Sequence, residues 1–78
     1  MRVADWLTDA AETLARVSGV PPESLGLDDS TRATLLELAR LAAHESGDRR
    51  NAPLLCYLAG IATRTTELET IAAAFRRD

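Results

Sequence analysis

Hydrophobic residues recur at intervals of three and four along most of the chain, the spacing that places side chains on one face of an α-helix. This periodicity predicts four helices, over residues 4–18, 30–45, 52–63 and 66–77. The sequence therefore predicts an all-α fold, a small bundle of four helices that forms a single domain over residues 1–78.

Glycine and proline residues mark the ends of the predicted helices. Gly19 and Gly47 are each expected to end a helix, because glycine is the residue that most often follows a helix C-terminus. Pro21 prevents continuation of the first helix, and Pro53 fits the first turn of the third. The connection over residues 19–29 contains apolar side chains, so we expect it to pack as an ordered strap.

The second helix is expected to occupy the centre of the bundle. Its apolar residues, from Leu35 to Ala43, form a stripe too broad for one interface, which indicates burial on more than one side. Asp28, Asp29 or Ser30 can each accept a hydrogen bond from the free amides at its start. The inner face of the third helix is expected to consist of Leu54, Leu55, Leu58, Ile61 and Ala62.

The junction between the third and fourth helices has two interpretations. Thr66 followed by Glu69 has the form of a capping box, which favours a new helix starting near Thr66. The alternative is one continuous helix over residues 52–76. Gly60, in the middle of the third helix, costs about 1 kcal/mol relative to alanine. We therefore expect a neighbouring helix to pass too close to Gly60 for a Cβ atom.

Composition supports the helical prediction and limits the size of the core. Of 78 residues, 46% are hydrophobic, mostly alanine and leucine, with one Trp, one Tyr and one Phe. A chain this short buries only about 60% of the surface that it exposes when unfolded. Pairing with a second copy or with another protein would therefore add stability. We expect Trp6 and Phe75 to lie in the core or in a subunit interface.

Charge and residue counts exclude several classes of function. Nine basic against twelve acidic residues give a net charge of −3, which disfavours nucleic acid as a partner. One His and one Cys cannot form a zinc site, so we expect no metal and no cofactor. Cys56 is expected to be a buried small hydrophobe. The apolar runs are too short to cross a bilayer, which predicts a cytoplasmic protein without membrane contact.

A contact surface for a protein partner or an anion is predicted near the junction of the second and third helices. Its candidate residues are His44, Arg49, Arg50 and Tyr57. A cation on His44 is favoured by the helix C-terminus, and Arg49 and Arg50 precede a helix N-terminus that attracts anions. Alternatively, the two arginines are solvated or paired with Asp48 and Glu45. No nucleophile lies beside a base in the sequence, so catalysis is not expected.

An acyl-carrier-like protein is the alternative function. Such domains are acidic and helical, and they carry phosphopantetheine on a serine that opens the second helix. Residues 26–31 resemble the acyl-carrier pattern, with Ser30 at the modified position and Thr31 where a leucine would be expected. In the competing interpretation, Ser30 only caps the helix.

Several short motifs, in order along almost the entire chain, resemble one small helical family of high-GC bacteria. They are Asp5-Trp6-Leu7, Leu35 to Ala43, Ala43-His44, Arg49, Ala52-Pro53-Leu54 and Tyr57-Leu58-Ala59-Gly60. Members of that family occur alone or attached behind molybdenum cofactor guanylyltransferase, which builds the guanine dinucleotide form of the cofactor. The resemblance implies a non-catalytic accessory module that acts by protein contact, with that nucleotidyltransferase as the candidate partner.

Overall fold

The computed structural model describes residues 3–76, and the side chains from Trp6 onward. Within this range the chain forms α1 (Val3–Ser18), α2 (Asp29–Ser46), α3 (Asn51–Ala62) and α4 (Leu68–Phe75), with one 3-10 turn (Pro22–Leu25) between α1 and α2. No strand occurs in the described residues, so the all-α prediction is confirmed. The ends of the first three helices lie within one residue of the predicted ones.

Two kinds of residue set the limits of α1 and α2. The carboxylate of Asp28 accepts a 2.7 Å hydrogen bond from the backbone amide of Thr31, so Asp28 is the N-cap among the three candidates. This bond lowers the pKa of the Asp28 carboxyl group. Gly19 and Gly47 have φ angles of 77° and 73°, the left-handed conformation that glycine takes without strain. Both glycines therefore end their helices as predicted.

The core is built on one leucine of α2 that packs against two alanines. Leu38 is fully buried, and Ala59 of α3 and Ala72 of α4 are the other buried hydrophobic residues among those described. Partly buried side chains pack around them: Leu55, Leu68, Ile71 and Phe75. Because the alanine side chain ends at Cβ, α3 and α4 can lie close to α2. Dispersion contacts between the closely packed helices then make up for the lack of large buried side chains. The predicted central position of α2 is confirmed.

A polar network fastens α4 to α2 beside this core. Arg76 donates hydrogen bonds of 2.8 and 2.7 Å to Glu37 of α2, and one of 2.6 Å to Glu69 of α4. Glu69 also accepts a 3.4 Å hydrogen bond from the buried hydroxyl of Thr34. We call these four residues the α2–α4 clamp. The hydrogen bond from Arg76 lowers the pKa of Glu37, and both carboxylates raise the pKa of Arg76.

The first helix does not join the helices that form the core. Within the described residues, α1 has backbone contact only with the 3-10 turn of the strap. The radius of gyration is 13.5 Å, whereas a compact domain of 78 residues has one of about 11.5 Å. Trp6 is 59% exposed, so its predicted place in the core of this chain is wrong, and its place in a subunit interface stays a prediction.

The α3–α4 junction confirms a break in the chain but not its predicted cause. A turn over residues 63–66 separates the helices, so one continuous helix is wrong. The fourth helix begins at Leu68 rather than Thr66, and Glu67 precedes it without a side-chain cap. The capping box does not form, because the carboxylate of Glu69 accepts its hydrogen bonds within the clamp. The predicted end of this helix, residue 77, lies outside the described residues.

The expectation for Gly60 is also wrong. A Cβ atom built at this position meets no heavy atom within 4 Å, and the residue is exposed. No neighbouring helix therefore comes close to Gly60, and the backbone freedom of this glycine only weakens α3.

Replacing Leu38 by alanine is expected to remove the centre of the core. We expect Leu38→Ala to lower the free energy of unfolding by about 2–5 kcal/mol, because it leaves a cavity between three helices. Urea unfolding followed by circular dichroism measures the change. Leu36→Ala is the matched control, since Leu36 is on the same helix and 65% exposed, and it should change stability by less than about 0.5 kcal/mol. Equal losses in the two variants would contradict this account of the core.

Alanine substitutions at two glycines are expected to act in opposite directions. Gly60→Ala should raise the free energy of unfolding by about 0.5–1 kcal/mol, because it removes backbone freedom without a clash. Gly47→Ala should lower it by about 1–2 kcal/mol, because alanine is strained at a φ of 73°. The same urea experiment measures both. If Gly60→Ala instead lowers the free energy of unfolding, this result would indicate that a helix does pack closely against position 60.

The clamp is expected to make stability depend on pH in the acid range. The pKa of Glu37 lies below its ordinary value of 4.5, so its contribution is complete above pH 4.5 and is lost as the pH falls through the lowered pKa. Glu37→Gln should therefore be less stable than the parent at neutral pH, and this difference should shrink in acid. Thermal unfolding across this pH range measures the effect. Leu36→Ala, at an exposed and uncharged position on α2, is the control and should give a difference from the parent that does not change with pH.

Candidate functional site

The four predicted contact residues lie along the path from α2 to α3. His44 is exposed in the last turn of α2, Arg49 is exposed in the following loop, and Tyr57 is exposed in the second turn of α3. Within the described residues, no hydrogen bond or ion pair joins any two of these three residues or connects them to Arg50. The structure thus places these residues on one region of the chain without bonding them into a single group.

Arg50 differs from the other three candidates because it is already paired. Its guanidinium donates hydrogen bonds of 2.8 to 3.1 Å to both carboxylate oxygens of Asp48. Its backbone amide donates a further 2.9 Å hydrogen bond to the same carboxylate. This pairing raises the pKa of Arg50 and lowers that of Asp48. The alternative interpretation, a salt bridge with Asp48, is confirmed for Arg50, whose charge orders the loop.

The outer side of α3 carries exposed apolar side chains, and the sequence prediction had placed three of them, Leu54, Leu58 and Ile61, in the interior. We call it the α3 outer face, and it consists of Leu54, Tyr57, Leu58 and Ile61, which are 60%, 71%, 60% and 41% exposed. Ala59 and Leu55 point inwards instead, a quarter to a third of a turn away. The sequence contains a signal for this error. No charged residue occurs from Asn51 to Ala62, so α3 is apolar on all sides. Since only one side packs against the core, apolar side chains on the other side remain exposed.

The α3 outer face continues into an open groove of about 420 Å³. Residues of α2, α3 and the end of α4 line it, namely Leu41, Ala42, Leu54, Leu55, Leu58 and Phe75. Polar side chains at its edge come from Glu45, Ser46 and Asn51. A wide and mainly apolar groove of this kind fits the side chains of an amphipathic helix better than a polar metabolite.

Titratable and nucleophilic side chains do not combine into a reactive group in the described part of the chain. Cys56 is half-buried and its thiol donates a 3.7 Å hydrogen bond to the carbonyl of Leu35. Burial raises the pKa of this thiol, so Cys56 remains protonated and serves packing. Residues 3–76 contain no group of three His, Cys, Asp or Glu side chains that could hold a metal ion. None of the described helices is long and apolar enough to cross a membrane.

Ser30, the residue on which the acyl-carrier alternative depends, is exposed in the first turn of α2. Its carbonyl accepts a 3.0 Å hydrogen bond from the hydroxyl of Thr34. Because Asp28 caps this helix, the interpretation of Ser30 as the cap is wrong. Modification of Ser30 stays a prediction.

Comparison with known proteins gives one match. A family model described as Domain of unknown function (DUF6457) matches residues 1–77, almost the whole chain. No curated protein and no solved structure matches the sequence. The extent of the match agrees with the resemblance to one small domain family that covers nearly all of the chain.

Proposed function

This chain belongs to the family described as Domain of unknown function (DUF6457), and we propose that it is a non-catalytic accessory module that binds another protein. The observation that carries the proposal is the α3 outer face, where four large apolar side chains are exposed on a helix without charges. Contiguous exposed apolar surface of this kind marks sites of protein interaction.

The composition of this face suits binding. Burial of one leucine side chain contributes about 1.5–3 kcal/mol, so Leu54 and Leu58 together supply a substantial part of a protein–protein binding energy. Tyr57 adds an aromatic ring with a hydroxyl group that can hydrogen-bond at the edge of an interface. Because these side chains are already exposed on a rigid helix, binding needs no rearrangement of the core.

The proposed mode of binding is a helix in a groove. An amphipathic helix of the partner would place its apolar side chains between Leu58 and Phe75, in the groove that the α3 outer face extends. His44 and Arg49 lie near the N-terminal end of α3, where they would contact acidic side chains of the partner. Arg50 is paired with Asp48 at an exposed position, so its contribution to binding would be smaller than that of His44 and Arg49.

The candidate partner is molybdenum cofactor guanylyltransferase. The support for it is the resemblance of the motifs, and two of those motifs supply side chains to the proposed binding surface. Leu54 belongs to the Ala52-Pro53-Leu54 motif, and Tyr57 and Leu58 begin the Tyr57-Leu58-Ala59-Gly60 motif.

The single cysteine, which has no second thiol for a disulfide within the chain, supports a cytoplasmic location.

An aspartate on the α3 outer face is expected to abolish the interaction. Leu58→Asp should weaken binding to the guanylyltransferase of the same organism at least about tenfold, because it places a charge in an apolar interface. Isothermal titration calorimetry measures the affinity. Leu36→Asp is the matched control, since Leu36 is 65% exposed against 60% for Leu58 but lies on α2 outside the groove. It should leave the affinity unchanged, and circular dichroism verifies that both variants fold.

The electropositive end of the surface is tested separately. Replacing His44 and Arg49 together by serine should weaken binding by a smaller factor that decreases as salt is added. If Leu58→Asp binds as tightly as the parent, the α3 outer face is not the docking surface. If the parent chain does not bind the guanylyltransferase, that enzyme is not the partner.

A further inference from the structure

A second apolar surface, on α1, is separate from the α3 outer face. Leu7 and Ala11 are half-buried on the side of α1 that faces the strap. Trp6, Leu14 and Val17 are exposed, Val17 by 76%. Among the described residues, α1 has no backbone contact with α2, α3 or α4, and the apolar stripe of these three side chains remains exposed to solvent.

One flank of this stripe carries a pair of opposite charges at a particular spacing. Asp9 and Arg16 are seven residues apart, so they lie on the same side of α1, separated by about 10 Å along the helix axis. Thr13 lies between them, where its hydroxyl accepts a 3.5 Å hydrogen bond from Arg16 and donates one of 3.2 Å to the carbonyl of Asp9. Arg16 has no acidic partner within the described residues.

Two-fold symmetry turns this spacing into a complementary interface. When two identical helices pack antiparallel about a two-fold axis, each flank lies beside the same flank of the partner, with the residue order reversed. An axis that passes midway between Asp9 and Arg16 therefore brings each Asp9 next to the partner's Arg16, twice per pair. The apolar stripes meet at the same time, and the small Ala10 leaves room for the partner's Leu14.

We propose that α1 is a self-association helix, which pairs antiparallel with α1 of a second copy of this chain through its apolar stripe and two Asp9–Arg16 ion pairs. Glu12 follows Asp9 by three residues and precedes Arg16 by four, so it lies beside this flank, but it is farther from the apolar stripe and exposed to solvent. This arrangement also buries Trp6, which provides the subunit interface expected for the single tryptophan.

The exposed surface of the chain is large enough for such an interface. The accessible surface is 6162 Å², whereas a folded monomer of 8.4 kDa has about 4,600 Å². The excess of roughly 1,500 Å² is shared by α1, the α3 outer face and the rest of the surface, and it is larger than the ~800 Å² that each partner contributes to a standard stable interface. A second copy covers the stripes of both chains in one symmetric contact, which one copy of an unrelated partner would not do.

This inference does not depend on the proposed function. The self-association helix is α1, the proposed docking surface is on α3, and the test uses the chain alone. If the experiments contradict self-association through α1, the proposal of a docking surface on α3 is unaffected, and the reverse also holds.

The first measurement needs no variant. Sedimentation equilibrium over a wide range of protein concentration is expected to show monomers in equilibrium with dimers. The emission of Trp6 should shift to shorter wavelength over the same range, because dimerisation removes its indole ring from water. A chain that stays monomeric at every concentration, or a dimer in which the emission of Trp6 does not change, overturns the proposal.

The second measurement is a charge exchange. Asp9→Arg and Arg16→Glu should each weaken the dimer about tenfold, because each substitution makes two ion pairs repulsive. The double variant should recover most of the affinity, since the reversed charges are again opposite. Glu67→Arg is the matched control, because it changes the net charge as Asp9→Arg does but at an exposed position just before α4, which has no backbone contact with α1, and it should leave the dimer unchanged.

Recovery in the double variant distinguishes direct pairing from a general effect of charge, and circular dichroism verifies that α1 stays helical. Failure to recover would overturn the antiparallel arrangement. A dimer that Leu58→Asp dissociates and the charge variants leave intact would show that the second copy binds α3 instead, which also overturns it.

Discussion

The packing of Leu38 against Ala59 and Ala72 is the contact on which the rest of the structure depends. It unites three helices with one large side chain and two small ones. Because few apolar side chains are buried, hydrogen bonds and ion pairs also hold the three helices together. The clamp, through Glu37 and Arg76, joins α2 to α4 at the edge of the core. A small core of this kind cannot cover every leucine in the chain. The uncovered ones become available for other contacts.

The two uncovered apolar surfaces differ in their surroundings, and this difference separates their proposed partners. The α3 outer face belongs to a helix without charges, and its nearest basic side chains, His44 and Arg49, come from other elements. The stripe on α1 has its own acid and base in Asp9 and Arg16, at a spacing that matches a reversed copy of itself. This difference is the reason why we propose a different protein as the partner of the α3 outer face and a second copy of the chain as the partner of α1.

The sequence was sufficient for the secondary structure, because helix periodicity and helix ends are local properties. Asp28 and Gly47 each act within one turn of the chain, so their effects could be read directly. Contacts between distant segments could not be predicted. Arg76 pairs with Glu37, which lies 39 residues away in the sequence, and no local pattern indicates this pair. Gly60 was assigned a packing role that requires knowledge of where the neighbouring helix lies.

The candidate site shows the same limit. Tyr57 was predicted as a contact residue, and its side chain is exposed. The inner and outer sides of α3 could not be distinguished by pattern alone, because Leu54, Leu58 and Ile61 have the same helical spacing that an inner face would have. Only the position of α2 decides that Ala59 faces inwards. An ion pair within the loop between α2 and α3 was one of the alternatives, and Arg50 forms such a pair with Asp48.

The alanines of this chain are chemically identical but not equally replaceable. Ala59 and Ala72 stand where two helices press on Leu38, so any larger residue would force the helices apart. Ala73 and Ala74, the two residues that follow Ala72, are exposed to water and tolerate almost any helix-forming residue. Among relatives of this chain, the buried alanine positions should thus be the least variable. The number of exposed alanines should instead vary with the base composition of the genome.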